Sequence, residues 1–301
     1  MKTWIKGSSY EVAFWRSLYR NKKARAGLLS WSNYGEELTL PGFDAAGFLK
    51  ELTEMHPIVL DVGCGMSYCT GNKVDGKDVN IHYVDPLAVY YNKILDDFKV
   101  KLPRVEFGMI EYLSAFYPES NVSLIIVQNA LDHSSNPIKG IMECVKALKP
   151  GGVLYLKHYI NEAEYENYRG FHKYNVDEQD GKLVIWNKTE RHDVESMLTG
   201  WATLTTRQVM ANERVFVTSV ITKLAEPPVS IVQEKADIAQ LCSEIMSISL
   251  EMNSASSMMK LHVKKVLYNM VQFFMRMLSS DVRMRLKMIL SKTKRDKTLA
   301  H

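Results

Sequence analysis

The chain has 301 residues, 46% of them hydrophobic and 24% charged. That balance excludes a disordered or collagen-like chain and leaves room for one large α/β domain with an appendage. The net charge of +4 hides an asymmetry: residues 257–301 hold eleven Lys or Arg against Asp281 and Asp296, a net of +9, which leaves −5 for residues 1–256. An acidic body disfavours long nucleic acid, whereas the basic segment suits an anionic partner.

In chain order, Tyr10, Phe14, Trp15 and Tyr19 recur at near-helical spacing and predict a helical cap over residues 1–52. Pro41-Gly42 marks a turn before a short helix, Phe43–Leu52. Predicted strands follow at Ile58–Val62, Asn80–Val84, Val105–Phe107 and Val122–Val127, with a helix at Leu87–Phe98. A helix over Pro137–Leu148 stops at Lys149-Pro150-Gly151-Gly152. The strand Val153–His158 comes next, and Leu183–Asn187 and Val215–Thr222 read as a closing pair. This alternation predicts an α/β fold with a doubly wound, mostly parallel sheet over residues 53–225. Ala225-Glu226-Pro227-Pro228 reads as a linker into a helical, basic extension, residues 226–301.

Cys64, Cys69, Cys144 and Cys242 lack zinc-type spacing and read as free thiols of a reducing compartment. The segment MKTWIKGSSYEVAFW has no continuous apolar run, so no signal peptide is expected. No apolar stretch reaches the roughly 18 residues that a membrane span needs. The expected location is cytoplasmic.

The densest signal is Val59-Leu60-Asp61-Val62-Gly63-Cys64-Gly65, with Asp85 twenty residues after Gly65. The run reads as a buried strand, a glycine turn, a helix and a second strand ending in a carboxylate, the layout of a nucleotide-binding βαβ unit. A dinucleotide fingerprint needs a third glycine where Tyr68 stands, and a P-loop needs a Gly-Lys-Ser/Thr run that is absent. Leu60-Asp61-Val62-Gly63-Cys64-Gly65, then Asp85, then Leu148-Lys149-Pro150-Gly151-Gly152 resembles the class I S-adenosylmethionine (SAM)-dependent methyltransferases over about residues 55–225.

The resemblance implies a Rossmann-like sheet of seven strands with an antiparallel edge pair, and SAM as cofactor. It places Gly63, Cys64 and Gly65 beside the amino-acid and ribose portions, with Asp61 orienting the turn or reaching the ammonium. Asp85 would hold the ribose diol, and Pro86 and Leu87 the adenine. Met109, Ile110 and Glu111 match the adenine-binding stretch, although Met109 replaces a common Asp. Asn129 and Ala130 would line the cofactor. Asp61 also suits a simple turn cap, and Asp85-Pro86 a plain strand exit.

The acceptor side carries two histidine-bearing segments, Asn129-Ala130-Leu131-Asp132-His133 and Asn161-Glu162-Ala163-Glu164 with Tyr168-Arg169-Gly170-Phe171-His172. Together with Asp85-Pro86-Leu87-Ala88 they resemble a subgroup of bacterial methyltransferases often associated with surface-polysaccharide gene sets. That implies O-methylation of a small or carrier-linked sugar or glycan intermediate. A hydroxyl must lose its proton, and histidine is the usual base near neutral pH. His133 is the first candidate, followed by His158 and His172, with Asn161, Glu162 and Asn175 as candidate acceptor-binding residues. The plainer reading is that these polar groups hold an irregular loop.

No N/D/S-P-P-Y/F run follows strand four, which disfavours a base amine as acceptor, and no metal triad with catechol-methyltransferase spacing is evident, so no metal is expected. A rival reading is a SAM-binding scaffold or regulatory protein without transfer activity. In the extension, Met259, Val263, Val266, Met270, Phe273 and Met277 form an apolar stripe flanked by Lys260, Lys264, Lys265 and Arg276. Residues 231–290 therefore suit an anionic membrane surface or a homo-oligomer seam.

Overall fold

Val122–Gln128 (β6) is a β-branched and aliphatic run, buried at every position except Gln128. Only a strand covered on both faces has that profile, and such a strand belongs at the middle of a parallel sheet. The computed structural model, which describes residues 2–43, 46–54, 57–118, 121–168, 171–211, 214–227 and 243, places it there. The chain divides into two compact units, Met1–Ile245 and Met246–His301. The segment 231–290 lies outside the described residues except for Ser243. No helix among the described residues is long and apolar enough to cross a membrane.

Three helices lead in: α1 (Lys2–Arg20), α2 (Lys22–Trp31) and α3 (Ala46–Glu54). Then come β1 (Ile58–Val62), a small ribbon of β2 (Lys73–Val74) and β3 (Lys77–Asp78), β4 (Ile81–Val84), α4 (Ala88–Asp97) and β5 (Val105–Glu106). After α5 (Leu113–Phe116) and β6 come α6 (Pro137–Ala147), β7 (Leu148–Tyr159) and α7 (Glu162–Tyr165). A second small sheet holds β8 (Asn175–Gln179), β9 (Lys182–Trp186) and β10 (Arg191–Asp193); α8 (Val194–Leu198), β11 (Ala202–Ala211) and β12 (Arg214–Lys223) follow.

The main sheet has seven strands in the order β11-β12-β7-β6-β1-β4-β5. β7, β6, β1, β4 and β5 are parallel, and β12 and β11 run antiparallel at the edge. This is the doubly wound sheet that the alternation predicts. Its direction of winding reverses at β1, which pairs with β4 on one side and β6 on the other. Ligands on open α/β sheets bind beyond the carboxyl ends of strands at such a switch point.

Three expectations need correction. The segment between the glycine turn and β4 holds no helix; Asp75-Gly76, with φ of +50° and +73°, turns it into the β2–β3 hairpin instead. Leu183–Asn187 does not close the main sheet; its strand, β9, pairs with β8 and β10. Asp180-Gly181 joins β8 to β9 with φ of +54° and +80°, the hairpin turn that Asp-Gly favours. The true partner of β12 is β11, an edge strand whose sequence, ATLTTRQVMA, is too polar to read as a core strand. Nor does Lys149-Pro150-Gly151-Gly152 stand apart as a loop. It lies within β7, where Gly151 has φ +78° and the pairing with β6 shifts register.

Two side chains tie the layers together. Asn136 caps α6 by accepting from the Lys139 N–H at 2.9 Å. At the other end, the fully buried Lys223 donates to the carbonyls of Lys146 (3.1 Å) and Leu148 (2.7 Å), groups that a helix end leaves open. Tyr19 of α1 is also fully buried, and its hydroxyl donates to the Met66 carbonyl at 2.9 Å. The N-terminal helices thus pack on the segment that follows the glycine turn.

Candidate active site

A cavity of about 410 Å³ opens at the carboxyl ends of the central strands. That size suits a nucleotide-sized ligand. Asp85 follows β4, Asp61 lies in β1, Asn129 follows β6 and Lys157 lies in β7, and all four line the cavity. Three strand spacings separate the first from the last, roughly 14 Å. The cavity thus has two ends.

At the first end the glycine turn is held by backbone bonds from Gly63 N–H (2.8 Å) and Cys64 N–H (3.4 Å) to the Val84 carbonyl. Gly63 has φ +72°, and a Cβ there would collide with the Ala130 methyl. Asp85 accepts from the Leu87 N–H at 2.8 Å and from the Gly65 N–H at 3.2 Å. Burial pushes its carboxyl up to about 7, and the charges of Glu11 and Asp61 add to the rise while the two N–H groups oppose it. Burial likewise raises Asp61 to about 6, against a hydrogen bond from Thr70. Burial also raises the Cys64 thiol, keeping it protonated, as a small filler should be.

Pro86, Leu87, Ile110 and Glu111 line this end; Met109 is buried behind the wall and does not. Glu111 is committed to the frame: its Oε1 accepts from the Ser135 N–H (2.6 Å) and hydroxyl (2.7 Å). Trp15 and Glu11 of α1 also line the cavity, joined by an indole N–H to carboxylate bond of 2.7 Å. The near-helical aromatic spacing marks Trp15 as a helix-face residue, but nothing local signals that this face covers the glycine turn.

At the other end the chain brings together residues forty positions apart. Leu131–His133 forms a 3-10 turn after β6. The Lys173 N–H donates to the Asp132 carbonyl at 3.2 Å, stitching the Phe171–Lys173 segment against that turn. His172 Nδ1 lies 2.7 Å from Asp132 Oδ2 and 3.2 Å from His133 Nε2. Burial works against the Asp132 carboxylate, yet His133, His172 and His158 outweigh it and hold its pKa at about 2. For His172, burial favours the neutral ring, but the hydrogen bond and charge of Asp132 prevail and its pKa is raised.

His133 lines the cavity beside Ser134 and Phe171, and Lys157, Tyr159 and Phe216 complete this wall. His158 does not reach it. That ring is 2% exposed, its Nε2 accepts from the Leu131 N–H at 3.0 Å, and burial lowers its pKa to about 4. Its proton therefore sits on Nδ1, which finds no partner among the described residues. His172 stands behind His133, outside the lining. Asn161, Glu162 and Asn175 are also off the wall. Asn175 is fully buried, accepting from the Glu164 N–H and donating to the Tyr168 hydroxyl, so it braces the loop. Asp132, which no motif singled out as a site residue, is the hub of the cluster.

No protein-family model matches the sequence, and no curated protein matches it. Solved structures of similar architecture include a SAM-dependent methyltransferase from Aquifex aeolicus, at 19% identity and a TM-score of 0.37, covering 60% of this chain and 90% of that one. The N-methyltransferase NodS from Bradyrhizobium japonicum, solved with S-adenosylhomocysteine, shares 15% identity at a TM-score of 0.35, covering 60% and 86%. The CMeT domain of the citrinin polyketide synthase shares 18% at 0.40, and the match spans 61% of this chain but 52% of that one. Identities and scores this low transfer no substrate or reaction to the present chain.

Proposed function

We propose that the protein is a class I SAM-dependent methyltransferase acting on a hydroxyl of a sugar or glycan intermediate. One observation carries the cofactor assignment: two buried carboxylates, Asp61 and Asp85, bracket a glycine turn at the cavity wall. They would repel the pyrophosphate of a dinucleotide, whereas a ligand bearing a sulfonium and an ammonium offsets their burial. Asp85 is placed to accept from ribose hydroxyls, a charge-assisted contact. Gly63 and Gly65 let the Ala130 methyl and the Trp15 ring close on the turn.

When bound, SAM supplies an electrophilic methyl on sulfur, which becomes a neutral thioether as the acceptor oxygen takes the carbon. The protein's own part is to align the acceptor and receive its proton. His133 is the member of the Asp132–His133–His172 cluster that faces the cavity, and the proton leaves toward it. His172 and Asp132 orient that ring from behind. His158 holds the Leu131–His133 turn through its backbone bond and is a positioning residue. The preference for a sugar hydroxyl rests on the resemblance of the two histidine segments.

Titration calorimetry with SAM, S-adenosylhomocysteine and NAD tests the cofactor: tight binding of the first two and none of NAD is expected, and the reverse overturns the assignment. Mass spectrometry of cell extracts incubated with isotopically labelled SAM then reads the acceptor. Binding without any labelled product would favour a scaffold role. We also propose that residues 257–301 contact an anionic membrane surface; equal vesicle flotation with and without them would refute that.

A further inference from the structure

Asp132 Oδ2, His133 Nε2 and His172 Nδ1 form a triangle with sides of 2.7, 3.2 and 3.5 Å. A proton relay would use the two nitrogens of a ring in series, one toward the carboxylate and the other toward the next group. Here the same atom, His172 Nδ1, faces both Asp132 and His133. Nδ1 carries at most one proton, and one proton cannot lie on two lines at once. Three atoms able to present lone pairs to a common point are the arrangement of a cation site.

The dimensions agree. A point about 2.1 Å from all three atoms, the usual Zn–N and Zn–O length, lies roughly 1 Å off their plane, and only the 2.7 Å Asp132–His172 separation has to widen to reach a tetrahedral angle. We propose that this triangle is a binding site for a divalent transition-metal ion, held by Asp132, His133 and His172. Two imidazoles and one carboxylate suit zinc, manganese or iron, not the all-oxygen preference of calcium or magnesium. The frame is built in advance. Asp132 is 4% exposed, the Lys173 N–H to Asp132 carbonyl bond fixes the two segments, and Ser134 Oγ donates to the Leu131 carbonyl at 2.8 Å within the turn.

Three protein ligands leave a coordination position open, and His133 brings the site to the cavity wall. An acceptor hydroxyl that enters this position would be acidified by the ion, with its proton passing to solvent, and His133 would then serve as a ligand rather than a base. That use rests on the methyl-transfer reading; the ion's binding does not.

The test uses the full chain, stripped with a chelator and titrated with Zn²⁺ by calorimetry and with Co²⁺ by visible absorption. The expected result is one ion per chain, with affinity at least tenfold weaker in Asp132→Asn and in His172→Ala. Zinc-edge X-ray absorption of the unaltered protein should show two imidazoles and an oxygen ligand, a readout that does not depend on the variants folding. No binding, or a zinc environment with thiolate ligands, overturns the site. Titration with S-adenosylhomocysteine in parallel separates the two proposals, since its failure would strike the methyltransferase reading and leave the metal result standing.

Discussion

The two ends of the cavity solve opposite electrostatic problems. At the glycine turn, Asp61 and Asp85 are buried, and burial raises both; among the described residues the one lysine that lines the cavity, Lys157, lies at the other end. At the histidine end, Asp132 is equally buried but surrounded by three imidazoles, and its carboxyl is pushed down to about 2. The first end is incomplete without a cationic ligand. The second is balanced and can hold or release a positive charge. On the proposed reading, the first end would bind the donor through charge and the second would carry the chemistry.

Substitutions that affect one end only would sharpen that contrast. The largest effect is expected for His133→Ala, which should slow turnover by about 10²–10⁴-fold while SAM affinity holds; a fully active variant would detach the histidine end from the reaction. Asp85→Ala should weaken SAM binding by about 1.5–3 kcal/mol, the range for a hydrogen bond to a charged group. Unchanged affinity in calorimetry would remove the ribose role. Gly63→Ala meets the Ala130 methyl at a positive φ and should cost about 1–3 kcal/mol of stability, read as a lowered melting temperature.

pH probes the same carboxylate without a substitution. Asp85 titrates near 7 in the folded protein against an ordinary 3.8, so the fold favours its protonated form. Its contribution to stability therefore falls as pH rises from about 4 to about 7 and is constant above. SAM affinity moves the other way, because the ligand needs the carboxylate. It should rise by up to about tenfold per pH unit through this window and level off above it. A flat profile would mean that Asp85 is already ionised in the free protein.

The glycines and carboxylates of the glycine-turn end are legible in the sequence because they lie within one short stretch, although the helix expected between Gly65 and Asp85 is the β2–β3 ribbon instead. The histidine end was legible only as ingredients. His133 and His172 stand in segments noticed separately, but their meeting depends on a tertiary stitch, the Lys173 to Asp132 backbone bond. No local signal marks Asp132 as the group that His133 and His172 meet. The sheet departs from expectation where local signals compete: the Asp180-Gly181 hairpin draws β9 away from the main sheet, and the polarity of β11 masks the edge strand. Trp15 was visible as a helix-face aromatic, but its place over Gly65 is a matter of packing.

The Ala130 methyl occupies the space that a side chain at position 63 would need. Ala130 is also the residue from which the turn bearing Asp132 and His133 begins. The glycine turn and the histidine turn therefore share one van der Waals boundary, and neither can thicken without displacing the other.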